Sequence, residues 1–163
     1  MILDSGERRE FATGAVRDIQ EGKGRCDLLP LGVCGELLHD PILKRFGLFI
    51  RFRQVDDLYC IAKTFIHHEW KTDVYTALLE IAVHYQEGCN KYGDRNWEKG
   101  IPMHCYIDSA VRHYLKFKRG DTDEDHARAF LWNVCCLWWT LLYKPEMDDL
   151  PATVIPRGAE VSE

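Results

Sequence analysis

Apolar residues return every three or four positions along much of this chain, the spacing of a helix with one buried face. Leu58, Ile61, Ala62, Phe65 and Ile66 make such a stripe between Asp56 and His68. Ala77, Leu78, Ile81, Ala82 and Tyr85 make a second, with Asp73 placed to cap its start and Gly88 near its end. A third helix is predicted from about His104 to Phe117, closed by Gly120. The last predicted helix, about 124–143, carries Ala127, Phe130, Leu131, Val134, Leu137, Trp138 and Leu141. Thr122 or Asp123 is placed to cap it, and Lys144-Pro145 ends it. Shorter helices are expected from Gly32 to Leu38, stopped by Pro41, and over 41–53. No repeat and no strand–helix–strand alternation appears. The pattern predicts an all-α fold, a compact helical domain of about five to six helices.

Outside these helices the chain is punctuated. Gly14 to Pro30 holds three glycines and no usable period, so it reads as a structured, glycine-rich N-terminal loop. Residues 1–13 are charged and expected to fray, and 151–163 to extend from the domain as a tail. The single domain is then 14–150. Its length of 163 residues suits one core, and 46% hydrophobic with 12% aromatic residues excludes a disordered chain. The net charge of −5 argues against a partner that is a nucleic-acid polymer, which calls for a basic excess. Seven cysteines are an odd number, and the charged start from Met1 to Arg8 lacks the apolar core of a signal peptide. Both favour a reducing, cytoplasmic setting. No apolar run reaches the roughly 20 residues of a membrane span, so no membrane partner is expected.

Several groupings carry possible chemistry. Glu80, His84 and Glu87 stand at i, i+4 and i+7, on one helical face. Carboxylates so placed suit Mg²⁺, although the same spacing describes an ordinary solvated face. Arg112 and His113, with Lys116, Lys118 and Arg119 beyond them, read either as an anion-facing end or as a basic helix terminus that complements the dipole. Asp121-Thr122-Asp123-Glu124-Asp125-His126 is the most acidic stretch; it lacks the EF-hand pattern, and acids also suit a helix start. Gly22-Lys23-Gly24-Arg25 sets two cations among glycines, as a phosphate-contacting loop would, yet matches no standard phosphate-loop pattern. Cys135-Cys136 read as core, Cys26 and Cys34 are too far apart for a zinc knuckle, and the adjacent His67-His68 point about 100° apart on a helix.

Taken in order, some of these groupings carry a resemblance. They run Gly14-Ala15-Val16-Arg17-Asp18, then Gly22 to Pro30, then Leu79-Glu80 and Gly88-x-x-Lys91-Tyr92-Gly93-x-x-Asn96-Trp97-x-Lys99-Gly100. Asp108-x-x-x-Arg112-His113, Asp123-x-x-His126 and Asn133 follow. The succession resembles the phage and prophage family of dATP/dGTP diphosphohydrolase N-terminal domains, relatives of the MazG-like nucleotide pyrophosphohydrolases, over about 11–150. Relative to shorter members, Glu36 to Tyr75 reads as an insertion. The MazG-type Glu-x-x-Glu and Glu-x-x-Asp pair is not visible, since Val83 follows Glu80 at +3 and Ala129 follows His126.

The resemblance implies an all-α, homo-oligomeric enzyme that cleaves a (deoxy)purine nucleoside triphosphate to monophosphate and pyrophosphate with Mg²⁺ (or Mn²⁺). On that reading Glu80, Glu87 and Asp123 hold the metal, and Glu80 and His126 are catalytic. Lys23, Arg25, Lys91, Tyr92, Arg95, Asn96, Trp97, Lys99, Arg112 and His113 hold the nucleotide, with Trp97 or Tyr92 stacked on the base. If the chain is phage-encoded, its place is the host cytoplasm. The alternative is a phage protein that sequesters a nucleotide or nucleotide-derived signal without hydrolysis, which the missing carboxylate pattern favours.

Overall fold

Six helices form among residues 6–152, the part of the chain that the computed structural model describes. They are α1 Leu31–Leu38, α2 Pro41–Phe52, α3 Val55–Thr64, α4 Val74–Tyr92, α5 Met103–Arg119 and α6 His126–Tyr143. Their ends have local causes. Asp40 accepts from the amides of Ile42 at 2.9 Å and Leu43 at 3.0 Å. Pro41 takes the first position of α2, where its missing N–H costs nothing. Asp73 caps α4, accepting from Thr76 N at 2.9 Å. Gly120, at φ +86°, adopts the left-handed turn that ends α5.

Four features differ from the sequence reading. α6 is capped by Asp125, which accepts from Arg128 N at 3.0 Å, rather than by Thr122 or Asp123. Asp123 is engaged elsewhere, with Lys116 and His126. α4 runs through Gly88 to Tyr92 instead of stopping near the glycine. The helix expected up to His68 changes at Phe65–Glu69 into a π-helical turn. Of the stretch expected to fray, Arg8–Glu10 forms a strand, β1, paired antiparallel with β2, Val16–Asp18. A tight turn joins them, with Phe11 N bonded to Ala15 O at 2.9 Å and Gly14 N to Phe11 O at 2.8 Å. The fold is nevertheless all-α, since this two-stranded ribbon is the only sheet among the described residues. Residues 1–5 and most of the expected tail, 153–163, lie outside the described residues.

The core gathers on α5 and α6. Tyr106, Tyr114 and Phe130 are fully buried, and Phe65 sits with its ring centroid 4.3 Å from that of Phe130. Burial of each such side chain is worth about 1.5–3 kcal/mol. The stretch read as an insertion, Glu36 to Tyr75, feeds this same core with Ile42, Phe46, Phe49, Leu58, Ile61 and Phe65. Tyr114 ties it in by a hydrogen bond to the α2 cap, its hydroxyl donating to Asp40 Oδ2 at 2.6 Å. All seven cysteines are free thiols. No described helix is long and apolar enough to cross a membrane.

α1 and α2 meet backbone to backbone because both carry glycine at the crossing. A Cβ on Gly47 would lie 2.7 Å from the Gly32 backbone, and one on Gly35 would lie 2.5 Å from Lys44 N. Backbone cannot yield as a side-chain tip can, so Gly47→Ala is expected to cost about 1–3 kcal/mol by overpacking. Urea unfolding measures this against Gly88→Ala, whose Cβ would meet nothing within 4 Å. Equal stability of the two variants would show that α1 and α2 separate freely.

Candidate active site

β2 is held where α5 and α6 can use it. The Asn96 side chain clasps the backbone of Val16, accepting from its amide and donating to its carbonyl, both at 2.8 Å. The next residue, Arg17, then enters between the helices. Its Nη2 donates to Ser109 Oγ at 3.0 Å and Asn133 Oδ1 at 3.2 Å, and its guanidinium lies 5.3 Å from the Tyr106 ring and 5.9 Å from the Trp132 ring. After β2 the glycine-rich loop is stitched to α5. Asp108, 3% exposed, accepts from Cys26 N and Gln20 Nε2, both at 2.7 Å, and also pairs with Arg112. Arg112 in turn donates to Gly24 O at 2.9 Å.

Ribbon, loop and the helices α4, α5 and α6 enclose a cavity of about 350 Å³. Its electrostatics oppose those of the chain. Arg9, Arg17, Lys23, Arg95, Arg112 and Lys116 line it against only Asp18, Asp108 and Glu124, although the whole chain carries −5. Asp18 is engaged by Lys91 at 2.8 Å and by the Tyr92 hydroxyl, which donates at 2.9 Å. Burial, and then that carboxylate, push the Tyr92 hydroxyl above its ordinary pKa. Partial burial is the main cause that lowers the Lys23 ammonium. Arg9 Nε, Arg17 Nη1, Arg112 Nε and Trp132 Nε1 are buried N–H groups with no acceptor among the described residues, and all four residues line the cavity. Such a donor costs about 1–3 kcal/mol, so an acceptor-rich anion gains by entering.

Three imidazoles stand at one side. Burial lowers His84 to about 4, and burial together with His126 lowers His113 well below its ordinary value, so both are neutral near pH 7. His113 Nδ1 lies 2.9 Å from His126 Nδ1, and Glu124 Oε1 lies 3.9 Å from His113 Nδ1. His126, 3% exposed, sets its Nε2 2.6 Å from Asp123 Oδ1, and Lys116 donates to Asp123 Oδ2 at 2.9 Å. The hydrogen bonds from Lys116 and then His126 hold the Asp123 carboxyl well below the usual carboxylate range. His113, Glu124 and His126 form one group whose ligand atoms lie within 4.8 Å of one another; Asp121, Asp123 and His126 form another.

Of the residues named from sequence, Lys23, Tyr92, Arg95, Asn96, Trp97, Arg112 and His113 come together on the cavity lining. Trp97 also packs edge-on against Tyr85 and Trp139, with centroids 5.6 and 5.0 Å away. Lys91 stands behind the lining, on Asp18. Arg25 turns back onto Asp27 in a bidentate pair at 2.7 and 2.6 Å, and Lys99 is exposed. Glu80 pairs with Arg128, its Oε2 accepting from Nε at 2.7 Å, and neither Glu80 nor Glu87 joins the two ligand groups. Asp123 and His126 do. Arg9, Arg17, Gln20, Trp132 and Asn133 were not named as site residues. Asn133 offered one signal, a lone amide in an apolar helix, which implies a buried polar partner.

The model of the dATP/dGTP diphosphohydrolase N-terminal family matches residues 67–150, just over half of the chain. The chain belongs to this family, whose description is that of a hydrolase of purine deoxynucleotides. The match includes the α4, α5 and α6 walls of the cavity; the wall formed by Arg9, Arg17 and Lys23 precedes it. No curated protein and no solved structure matches the chain.

His84 gives the site a pH signature. The unfolded imidazole protonates near 6.5 and the folded one near 4, so between these values only the unfolded state gains the proton. Stability should therefore fall by up to about 3 kcal/mol as pH drops through that window. Urea unfolding at pH 7.5, 5.5 and 4 measures the fall, and His84→Gln should lessen it, leaving the part that His113 contributes. An unchanged slope in the variant would remove His84 as the cause.

Proposed function

We propose that this chain cleaves a deoxypurine nucleoside triphosphate to the monophosphate and pyrophosphate in the cavity between the ribbon and α4, α5 and α6. The observation that carries the reading is the concentration of cations and acceptor-less buried N–H groups on its lining, within an acidic chain. A triphosphate brings about four negative charges and many acceptor oxygens, and charge-assisted hydrogen bonds are the strong ones. In this reading Lys23, Arg17 and Arg112 take the phosphates, and the aromatic walls at Tyr85, Tyr92, Trp97 and Trp132 take the base. Purine preference rests on the family's description. The apolar stripe Tyr75, Leu78, Leu79 and Val83, exposed on α4, supports self-association as a homo-oligomer.

The family implies a divalent metal, and the residues present fit one. Carboxylate and imidazole donors converge where α6 begins, beside the cavity, whereas Glu80 is committed to Arg128. A metal there would neutralise phosphate charge and lower the pKa of a bound water. His126 has both ring nitrogens engaged, by His113 and Asp123, so of this pair His113 is the imidazole that lines the cavity. Capture without hydrolysis is favoured by one observation: no α4 carboxylate lines the cavity.

Incubation of the full chain with each dNTP and Mn²⁺ or Mg²⁺, read by ³¹P NMR, separates these readings. Pyrophosphate and a deoxynucleoside monophosphate are expected. A tight complex that returns intact triphosphate would select capture, and no binding of any dNTP would overturn both. Two cations of one loop give a second prediction. Lys23→Ala should weaken dNTP binding about tenfold, the effect of one lost charged contact, while Arg25→Ala changes it less than about twofold. Calorimetry at moderate salt reads both, and the reverse order would place Arg25, not Lys23, on the phosphates.

A further inference from the structure

The three side chains at the α5–α6 edge of the cavity have a specific donor set. We propose that His113, Glu124 and His126 form a divalent-cation site that selects ions accepting imidazole nitrogen, Mn²⁺ over Mg²⁺. The site deepens the function proposed above and rests on it for the purpose of the metal, not for its binding.

The argument begins at Asp123. Its ionised carboxylate can only accept, so the His126 Nε2 at 2.6 Å from it carries the ring proton. With the proton on Nε2, the His126 lone pair falls on Nδ1, which accepts from His113 Nδ1 at 2.9 Å. A bound ion would replace this hydrogen bond, with the His113 proton moved to its Nε2. His126 on Asp123 has the arrangement of a metal-ligating histidine, whose second nitrogen donates to a carboxylate that fixes its tautomer and orientation. Asp123 is itself held by Lys116 at 2.9 Å, which makes it a positioning residue for His126.

The donor set, two imidazole nitrogens and one carboxylate oxygen, narrows the ion. Imidazole suits transition ions, while Mg²⁺ prefers carboxylate, carbonyl and water oxygens. Six-coordinate Mn²⁺ accepts both donor types. Glu124, which lines the cavity with His113, supplies the oxygen, its Oε1 3.9 Å from His113 Nδ1. The neighbouring group of Asp121, Asp123 and His126 has no member on the cavity lining, whereas His113 and Glu124 both line it.

Electron paramagnetic resonance tests the site on the full chain, stripped with EDTA and titrated with MnCl₂. Pulsed spectra of the bound ion should show ¹⁴N coupling from imidazole, and Mg²⁺ should displace it only at tenfold or greater excess. His113→Gln and His126→Gln should each weaken Mn²⁺ binding tenfold or more. Asp123→Asn should weaken it about ten- to a hundredfold, without loss of the metal-free melting temperature, since it acts through His126. No bound Mn²⁺, bound Mn²⁺ without nitrogen coupling, or displacement by equimolar Mg²⁺ would each overturn the proposal. Where a histidine variant does not fold, the nitrogen coupling of the unsubstituted chain decides alone. Binding of dNTP in EDTA, measured in parallel, keeps a failed metal site distinct from a failed nucleotide site.

Discussion

One buried carboxylate decides whether the site exists. Asp108 is nearly inaccessible on α5, yet it takes hydrogen bonds from Gln20, the Cys26 amide and Arg112. Two of these donors belong to the loop that follows β2. An unpartnered carboxylate at this depth would be costly, and each donor would lose its acceptor too, so loop and helix stabilise one another. Through Arg112 and the carbonyl of Gly24 the same cluster sets where Lys23 stands. The cavity wall is thus a consequence of satisfying one charge.

The remaining charges sort by purpose. Away from the cavity most acids are paired with neighbouring cations, as in Arg25 with Asp27, Lys118 with Glu69 and Arg53 with Asp148. Such exposed pairs each add at most about 1 kcal/mol, and the aromatic core of Phe46, Phe65, Tyr114 and Phe130 carries the fold. Cations that line the cavity outnumber its acids. A net charge of −5 therefore described the surface and misdescribed the interior face that matters for an anion.

The long helices were legible because their apolar residues recur at helical spacing, although α4 buries Ala77 and Ile81 and leaves Leu78 exposed. The capping aspartate of α4 was legible because its hydrogen bonds are local, from the Thr76 amide and hydroxyl. The start of α6 was not. Four acids stand in six residues there, and tertiary partners rather than local propensity decide which one caps: Lys116 and His126 claim Asp123 and leave Asp125 to the helix. The ribbon was illegible because three-residue strands leave no period to read. Within the site, Lys23 and Arg25 are equivalent in sequence, and only the side-chain fork between Arg25 and Asp27 separates them. Arg17 was visible as part of a motif, but its insertion between α5 and α6 depends on Asn96, which holds Val16 from 80 positions away.

That dependence on distant partners reaches beyond recognition. Arg17 bonds to Asn133 across 116 positions and Cys26 to Asp108 across 82. Contacts of such separation form only after the intervening chain has been ordered, because closing a long loop costs entropy before the contact returns any. Until those contacts close, α5 and α6 lack the wall that β2 and the following loop supply to the cavity. An anion bound in the cavity would in turn hold residues 8–30 against the bundle.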